Sequence, residues 1–171
     1  MKIYQDVLSD HLLSDCKNNI LEKKKIQCWE CSQFFWPNNI LDNVHGTCMI
    51  TELNDEKLVK NITKSLELFF KHINYERLVF QYYIWHPYSG ISQHRDGGYK
   101  FGATLYLNTV HSASDGGLFV WREDDYSDGL FNAVLPRENM LIINDQSEEH
   151  FVTNISPNSK NTRSTIQIWG L

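Results

Sequence analysis

The sequence lacks the features that mark secreted, membrane-spanning and nucleic-acid-binding proteins. Its first ten residues show no charged segment followed by an apolar run and no small-residue cleavage site, which disfavours a secretory signal. No apolar stretch approaches the ~20 residues that a membrane-spanning helix requires. Basic residues cluster only at residues 23–25, and the net charge is −5, which disfavours a nucleic-acid partner. We therefore expect a cytoplasmic protein that binds neither membranes nor nucleic acids.

Cysteine is also scarce, because the chain has only four, and all of them lie in its first third. Cys28 and Cys31 have CxxC spacing, but no second pair follows at the distance that a zinc site requires. A structural zinc ion usually takes four ligands. The βαβ pattern that surrounds a thioredoxin-like redox site is missing as well. We therefore expect Cys16, Cys28, Cys31 and Cys48 to be reduced and packed in the protein.

Aromatic and other hydrophobic residues are plentiful by comparison. They make up 13% and 42% of the chain, and the aromatic share favours a β-rich core. The 171 residues fit one domain. A chain of this size buries roughly 70% of its unfolded surface, so it needs neither disulfides nor a metal in order to fold.

The apolar pattern divides the chain into a helical first part and a strand-rich second part. Helical spacing covers residues 10–24, with Ser9 or Asp10 as the N-cap, and residues 58–73, with Asn54 in the capping position. Six runs separated by turn residues then predict strands at 78–85, 99–108, 117–122, 140–144, 150–155 and 162–169. We expect an α+β fold in which residues 1–75 pack helices on one sheet of a jelly-roll core, residues 76–171, within one structural domain.

Three residues of the second part are candidate metal ligands. On a strand, His94 and Asp96 would face the same side and Arg95 the other. The tripeptide alone carries little information, but Gly97 and Gly98 follow it directly, and His150 begins a strand of its own. Two imidazoles and one carboxylate leave three metal positions open, which is typical of non-haem Fe(II) oxygenases.

The last predicted strand carries polar residues where a core strand is usually apolar. Its alternate residues share one face and are Arg163, Thr165, Gln167 and Trp169. A buried arginine needs a partner, and a dicarboxylate co-substrate could supply one through two parallel hydrogen bonds. The alternative is a structural ion pair between Arg163 and Glu148 or Glu149.

These residues belong to a longer pattern in residues 82–171. The segments that carry it are His94-Arg95-Asp96, Ala103-Thr104-Leu105-Tyr106-Leu107-Asn108, Gly116-Gly117-Leu118-Phe119, His150 and Arg163 to Trp169. The pattern resembles the iron- and 2-oxoglutarate-dependent oxygenases, in particular the prolyl 4-hydroxylase-like branch. The resemblance implies a double-stranded β-helix and hydroxylation of an unactivated C–H bond with release of succinate and CO2.

The same resemblance implies roles for individual residues. His94, Asp96 and His150 would hold Fe(II), with 2-oxoglutarate and O2 as co-substrates, and ascorbate stays open as a reductant. Arg163 and Tyr106 would bind the distal carboxylate of 2-oxoglutarate. Thr165 stands where related enzymes often place a helper hydroxyl.

Several points stay open at the level of sequence. The family usually has tyrosine, proline and glycine before the first ligand, so either Tyr83 or Trp85 lines the pocket here. The acidic residues 123–128 form a solvated loop or a lid. The substrate is a small molecule, such as a free amino acid, or a protein or peptide, such as a prolyl residue. A cupin-like non-catalytic sensing module and an AlkB-like nucleic-acid demethylase are the alternatives, although cupins typically lack the late arginine and AlkB-like enzymes carry a second one.

Overall fold

The computed structural model of the chain describes residues 1–25, 29–31, 43–110, 112–122, 130–145 and 148–171. In this part of the chain, two helices, α1 (Asp10–Lys25) and α2 (Glu56–Phe70), accompany twelve strands. The strands are β1 (Lys2–Tyr4), β2 (Glu30–Cys31), β3 (Val44–His45), β4 (Cys48–Glu52), β5 (Leu78–Trp85), β6 (Gly90–His94), β7 (Phe101–Tyr106), β8 (Phe119–Trp121), β9 (Asn132–Val134), β10 (Leu141–Asp145), β11 (His150–Val152) and β12 (Arg163–Gly170).

The strands form two antiparallel sheets. The larger sheet has the order β1-β10-β7-β12-β5-β4-β2, and the smaller has the order β3-β6-β11-β8-β9. The longest pairing in the larger sheet joins β5 and β12 along their full length, from Trp85 opposite Arg163 to Leu78 opposite Gly170. Strands from the first 75 residues lie in both sheets, beside strands from the rest of the chain. The division of the chain at residue 75 stays a prediction.

The six predicted strands are present: one has the predicted bounds, two are shifted by one residue and three are shorter. They correspond to β5, β7, β8, β10, β11 and β12. The other strands have two to five residues, as in β3 and β4, and too few alternating positions to stand out in the sequence. None of the described helices is long and apolar enough to span a membrane.

Each helix is capped at its N-terminus by a side chain that accepts a hydrogen bond from a backbone N–H group of the first turn. In α2, Asp55 is the N-cap and its Oδ1 accepts from the N–H of Leu58 at 3.0 Å. The predicted cap Asn54 is therefore wrong by one residue, because the carboxylate of Asp55 is the group that reaches the first turn. At the start of α1, the hydroxyl of Ser9 accepts from the N–H of Leu12 at 3.3 Å, which favours Ser9 over Asp10 as the cap.

The two faces of the larger sheet differ in chemistry because strand residues alternate. One face packs on the helices through a continuous apolar core that includes Leu66 on α2, Tyr82 on β5 and Ile166 on β12. The opposite face looks toward the smaller sheet. It holds buried polar residues, which are Thr104, Asn144, Arg163, Thr165 and Gln167. This polar inner face is where the candidate site lies.

The cysteine prediction can be checked at two positions. Cys16 and Cys48 are both buried cysteines. Burial raises the pKa of Cys16 to about 12, so the thiol stays protonated at neutral pH. The CxxC pattern, His111 and the acidic residues 123–128 have side chains that lie outside the described part of the structure.

Candidate metal centre and adjoining cavity

The structure brings His94, Asp96 and His150 together, as the sequence predicts. His94 and His150 are direct partners in the pairing of β6 with β11. Their Nε2 atoms each lie 3.6 Å from an oxygen of the Asp96 carboxylate, and the three ligand atoms fall within 4.8 Å of one another. One detail differs from the expectation, because β6 ends at His94 and Asp96 lies beyond the strand. The three side chains still converge on one point.

Backbone carbonyls fix the tautomer of both histidines. The Nδ1 atom of His94 lies 2.8 Å from the carbonyl oxygen of Ser92, and that of His150 lies 2.9 Å from the carbonyl oxygen of Glu148. Since a carbonyl only accepts, each Nδ1 carries the proton and each Nε2 turns its lone pair toward Asp96. Burial lowers the pKa of both imidazoles, which favours the neutral form. This is the protonation state in which histidine binds a metal.

Asn144 holds the carboxylate ligand in place. Its Nδ2 donates to Oδ2 of Asp96 at 2.7 Å, and both side chains are buried. In the register of β10 with β7, Asn144 lies opposite Gly102. A Cβ at Gly102 would lie 2.8 Å from Oδ2 of Asp96 and 3.0 Å from Cζ3 of Trp169. The missing side chain at Gly102 therefore leaves the space that the Asp96 carboxylate occupies.

A cavity of about 430 Å³ opens from these ligands between the two sheets, and Arg163 lines it as well. Arg163 is buried, with its guanidinium 5.3 Å from the centre of the Trp85 ring and 5.6 Å from that of Tyr106. Its Nη1 donates to the carbonyl oxygen of Gly117 at 3.2 Å. Burial lowers the pKa of Arg163, yet no carboxylate pairs with it among the described residues.

The alternative prediction of an ion pair between Arg163 and Glu148 or Glu149 is therefore wrong. Glu149 lies 4.0 Å from Arg122 instead, at the rim of the smaller sheet. The prediction failed because Arg163 begins a strand of the larger sheet and points inward, while the two glutamates precede β11 of the smaller sheet.

Three buried polar atoms near Arg163 have no hydrogen-bond partner in the described part of the chain. They are the hydroxyl of Tyr106, Nε of Arg163 and Oγ1 of Thr165. Tyr106 and Thr165 are direct neighbours across β7 and β12. Because leaving such groups unpaired costs about 1–3 kcal/mol each, the cluster fits a ligand that brings oxygen atoms to this corner. Both Tyr83 and Trp85 line the cavity.

Sequence reasoning missed Asn144 and Gly102. Asn144 carried a weak signal, since it is a polar residue that ends the apolar run Leu141–Ile143. Gly102 gave none, because only the folded structure shows which atoms would meet a side chain at that position.

Comparison with known proteins agrees with this geometry. No family model matches the chain, and no curated protein matches its sequence. A prolyl hydroxylase from Trichoplax adhaerens, solved with a peptide fragment of the hypoxia inducible factor oxygen degradation domain, has a TM-score of 0.80 and 14% sequence identity. The alignment covers 99% of this chain and 82% of that one. The chain has the fold of the 2-oxoglutarate and Fe(II) oxygenases.

Two further structures extend the likeness to this oxygenase fold. A prolyl 4-hydroxylase from Pseudomonas putida has a TM-score of 0.67 and 16% identity, over 99% of this chain and 90% of that one. HygX from Streptomyces hygroscopicus, with nickel, 2-oxoglutarate and hygromycin B bound, has a TM-score of 0.66 and 8% identity. That alignment covers 98% of this chain and 81% of HygX. The oxygenase fold thus spans nearly the whole chain.

Proposed function

We propose that the protein is an Fe(II)- and 2-oxoglutarate-dependent dioxygenase of the prolyl 4-hydroxylase-like branch, which hydroxylates an unactivated C–H bond and releases succinate and CO2. The observation that carries the proposal is a cluster of two histidines and a carboxylate that shares one cavity with a buried arginine, which forms no ion pair among the described residues. The two antiparallel sheets around this cavity support a double-stranded β-helix arrangement.

The residues present fit a divalent iron ion. His94 and His150 offer neutral Nε2 atoms, and Asp96 offers a carboxylate oriented by Asn144. Such a facial set leaves three positions for 2-oxoglutarate and O2. When bound, iron with these co-substrates supplies the oxidation of the C–H bond, and ascorbate would act only as a reductant.

The protein's own contribution is to bind and orient the co-substrate. Arg163 would grip the distal carboxylate of 2-oxoglutarate with two parallel hydrogen bonds, and the hydroxyl of Tyr106 would donate a third. Thr165 offers a further hydroxyl in the same corner. Phe119 stacks on His150 with the two ring centroids 5.3 Å apart, and it keeps that side of the cavity apolar. A dry site strengthens each of these electrostatic contacts.

The substrate is proposed only as a class. The Trichoplax enzyme was solved with a peptide and HygX with hygromycin B, which supports either a peptide or a small-molecule substrate for this fold. A prolyl residue and a free amino acid are the first compounds to test. The acidic net charge of −5 disfavours a nucleic acid.

The test begins with anaerobic addition of Fe(II) and 2-oxoglutarate, which should produce a visible absorption band in the parent protein. His94→Ala, Asp96→Ala and His150→Ala should each lose the band while circular dichroism shows a folded chain. His72→Ala, an exposed histidine at the end of α2, should keep it. Aerobic succinate release is then screened against amino acids and proline-containing peptides.

The outcomes separate the candidate functions. A band with succinate release that depends on an amino acid or peptide supports the hydroxylase. A band without succinate release for any compound indicates a cupin-like binding module. Release that depends only on methylated oligonucleotides indicates an AlkB-like enzyme. A parent protein without any band contradicts the metal and co-substrate assignment.

A further inference from the structure

A row of polar side chains crosses the cavity wall beside the metal ligands. Gln81 on β5 lies directly opposite Gln167 on β12, and Gln167 lies opposite Thr104 on β7. All three line the cavity. We refer to the two glutamines, Gln81 and Gln167, as the carboxamide row. On β12, Gln167 lies two residues after Thr165, in the direction of Trp169.

Neighbouring donors fix which way the Gln81 carboxamide points. The indole N–H of Trp169 lies 3.3 Å from Oε1 of Gln81, and the hydroxyl of Tyr83 donates to the same oxygen at 3.2 Å. An indole N–H can only donate, so the atom that faces it must be the oxygen. The Nε2 of Gln81 has no hydrogen-bond partner among the residues that the structure describes, and Gln81 is a residue of the cavity lining.

Gln167 is arranged in the same sense. The hydroxyl of Thr104 donates to its Oε1 at 2.9 Å, and its Nε2 has no partner in the described ranges. The row thus presents two amide NH2 groups and no free amide oxygen. Among the described residues that line the cavity, Asp96 is the one with a carboxylate side chain, and it serves as a metal ligand.

An aromatic wall adjoins the carboxamide row. Tyr99 stacks on Trp169 with ring centroids 4.5 Å apart and planes 24° from parallel. Trp169 is thus held through its ring face by Tyr99 and through its N–H by Gln81. A wall fixed in this way loses little conformational entropy when a ligand packs on it.

The row is separate from the corner assigned to 2-oxoglutarate. Gln81 lies on β5, whereas Asn144, which holds the metal ligand, lies on β10, three strands away across β12 and β7. Arg163 lies at the far end of β12 from Trp169. Because Gln81 pairs with Gln167 and Arg163 pairs with Trp85, a co-substrate between the metal ligands and Arg163 would leave the Trp169 end of the cavity open.

We propose that the carboxamide row binds a carboxylate or carboxamide oxygen of the primary substrate, while Tyr99 and Trp169 hold the adjoining hydrocarbon. The proposal rests on the oxygenase function above and names its substrate class, which is a compact apolar unit that carries a carbonyl-type oxygen. A cationic amine in the same position would meet N–H groups and be rejected.

Three probes with the same ring and different head groups test this proposal. They are cyclopentanecarboxamide, cyclopentanecarboxylate and cyclopentylmethylamine. Binding to the full chain is measured by saturation-transfer NMR, with and without Zn(II) and 2-oxoglutarate. We expect the first two probes to bind at least about fivefold more tightly than the amine, as one or two added hydrogen bonds would give.

Variants separate a binding role from a structural one. Gln81→Glu keeps an oxygen for Trp169 and Tyr83 but turns an acceptor toward the cavity, so the preference should invert in favour of the amine. Gln81→Met removes the donors and should bring the three probes within about twofold of one another. Gln5→Glu, at an exposed position, should behave as the parent does.

Equal binding of the three probes to the parent, or an unchanged preference in Gln81→Glu, overturns the proposal. If Gln81→Glu does not fold, Gln167→Glu and Gln81→Met provide the same comparison. Head-group preference without succinate release from any substrate would contradict the oxygenase function and support the carboxamide row. Succinate release without head-group preference would contradict the carboxamide row alone.

Discussion

Replacement of Asn144 by leucine tests whether the metal centre depends on a residue that touches no metal. Leucine keeps the branched shape of asparagine and the same number of non-hydrogen side-chain atoms, with bulkier methyl groups, and it removes the donor that lies 2.7 Å from Oδ2 of Asp96. A buried hydrogen bond to a charged group contributes about 1.5–3 kcal/mol, and each 1.4 kcal/mol is a tenfold change in affinity. We therefore expect Fe(II) to bind about 10–100-fold more weakly, in line with losses at other outer-shell positions.

The assay is anaerobic calorimetric titration of Fe(II) into parent and variant. Asn132→Leu, at an exposed position of β9, controls for the leucine itself and should leave the affinity unchanged. At saturating iron, the affinity of Asn144→Leu for 2-oxoglutarate should approach that of the parent, because Arg163 is untouched. An iron affinity within about threefold of the parent would show that Asp96 keeps its orientation without Asn144, and would refute the reasoning.

Three further predictions concern other parts of the site and the core. Arg163→Ala should weaken 2-oxoglutarate binding roughly 30-fold or more in anaerobic titration, because truncation of a desolvated charge partner costs on the order of 2–5 kcal/mol. Binding within about twofold of the parent would place the co-substrate elsewhere. Gly102→Ala should lower the affinity for Fe(II) in the same calorimetric titration while the chain stays folded, since the added methyl group would lie 2.8 Å from Oδ2 of Asp96. An unchanged affinity would mean that the Asp96 carboxylate has room to shift. In a Cys28→Ser/Cys31→Ser/Cys48→Ala background at pH 8, Cys16 should react with Ellman's reagent only after unfolding, because its pKa of about 12 leaves almost no thiolate. Fast labelling of the native protein would contradict this burial.

The three candidate metal ligands could be picked out from the sequence because their positions along the chain are marked. His94 lies at the end of one strand and His150 at the start of another, and glycines follow Asp96. Long strands such as β5 and β12 were predictable for a similar reason. The eight residues of β5 are rich in aromatic and β-branched types, and those of β12 alternate between polar and apolar over residues 165–168. In both cases the information is local to a short segment of the chain.

The remaining features depend on contacts between distant segments. Asn144 and Asp96 are 48 residues apart in sequence, and nothing near either one names the other as its partner. The orientation of Gln81 depends on Trp169, which is 88 residues away. The short strand β3 forms because β6 pairs with it, and its two residues are too few to show a strand pattern in the sequence. Such features follow from topology, which a single sequence does not display.

The alternation along β12 has a consequence for how this strand can change over evolutionary time. Ile166 and Ile168 are fully buried on the helix face, and truncating either to alanine should cost about 2–5 kcal/mol of folding stability. Their neighbours Thr165 and Gln167 lie on the opposite face of the sheet, where Gln167 lines the cavity and Thr165 is buried beside Tyr106. A substitution at Gln167 should alter recognition more than folding. Adjacent residues of one strand thus serve different purposes, one set stabilising the fold and the other contacting the ligand. New specificities can arise at every second residue while the intervening residues keep the scaffold intact.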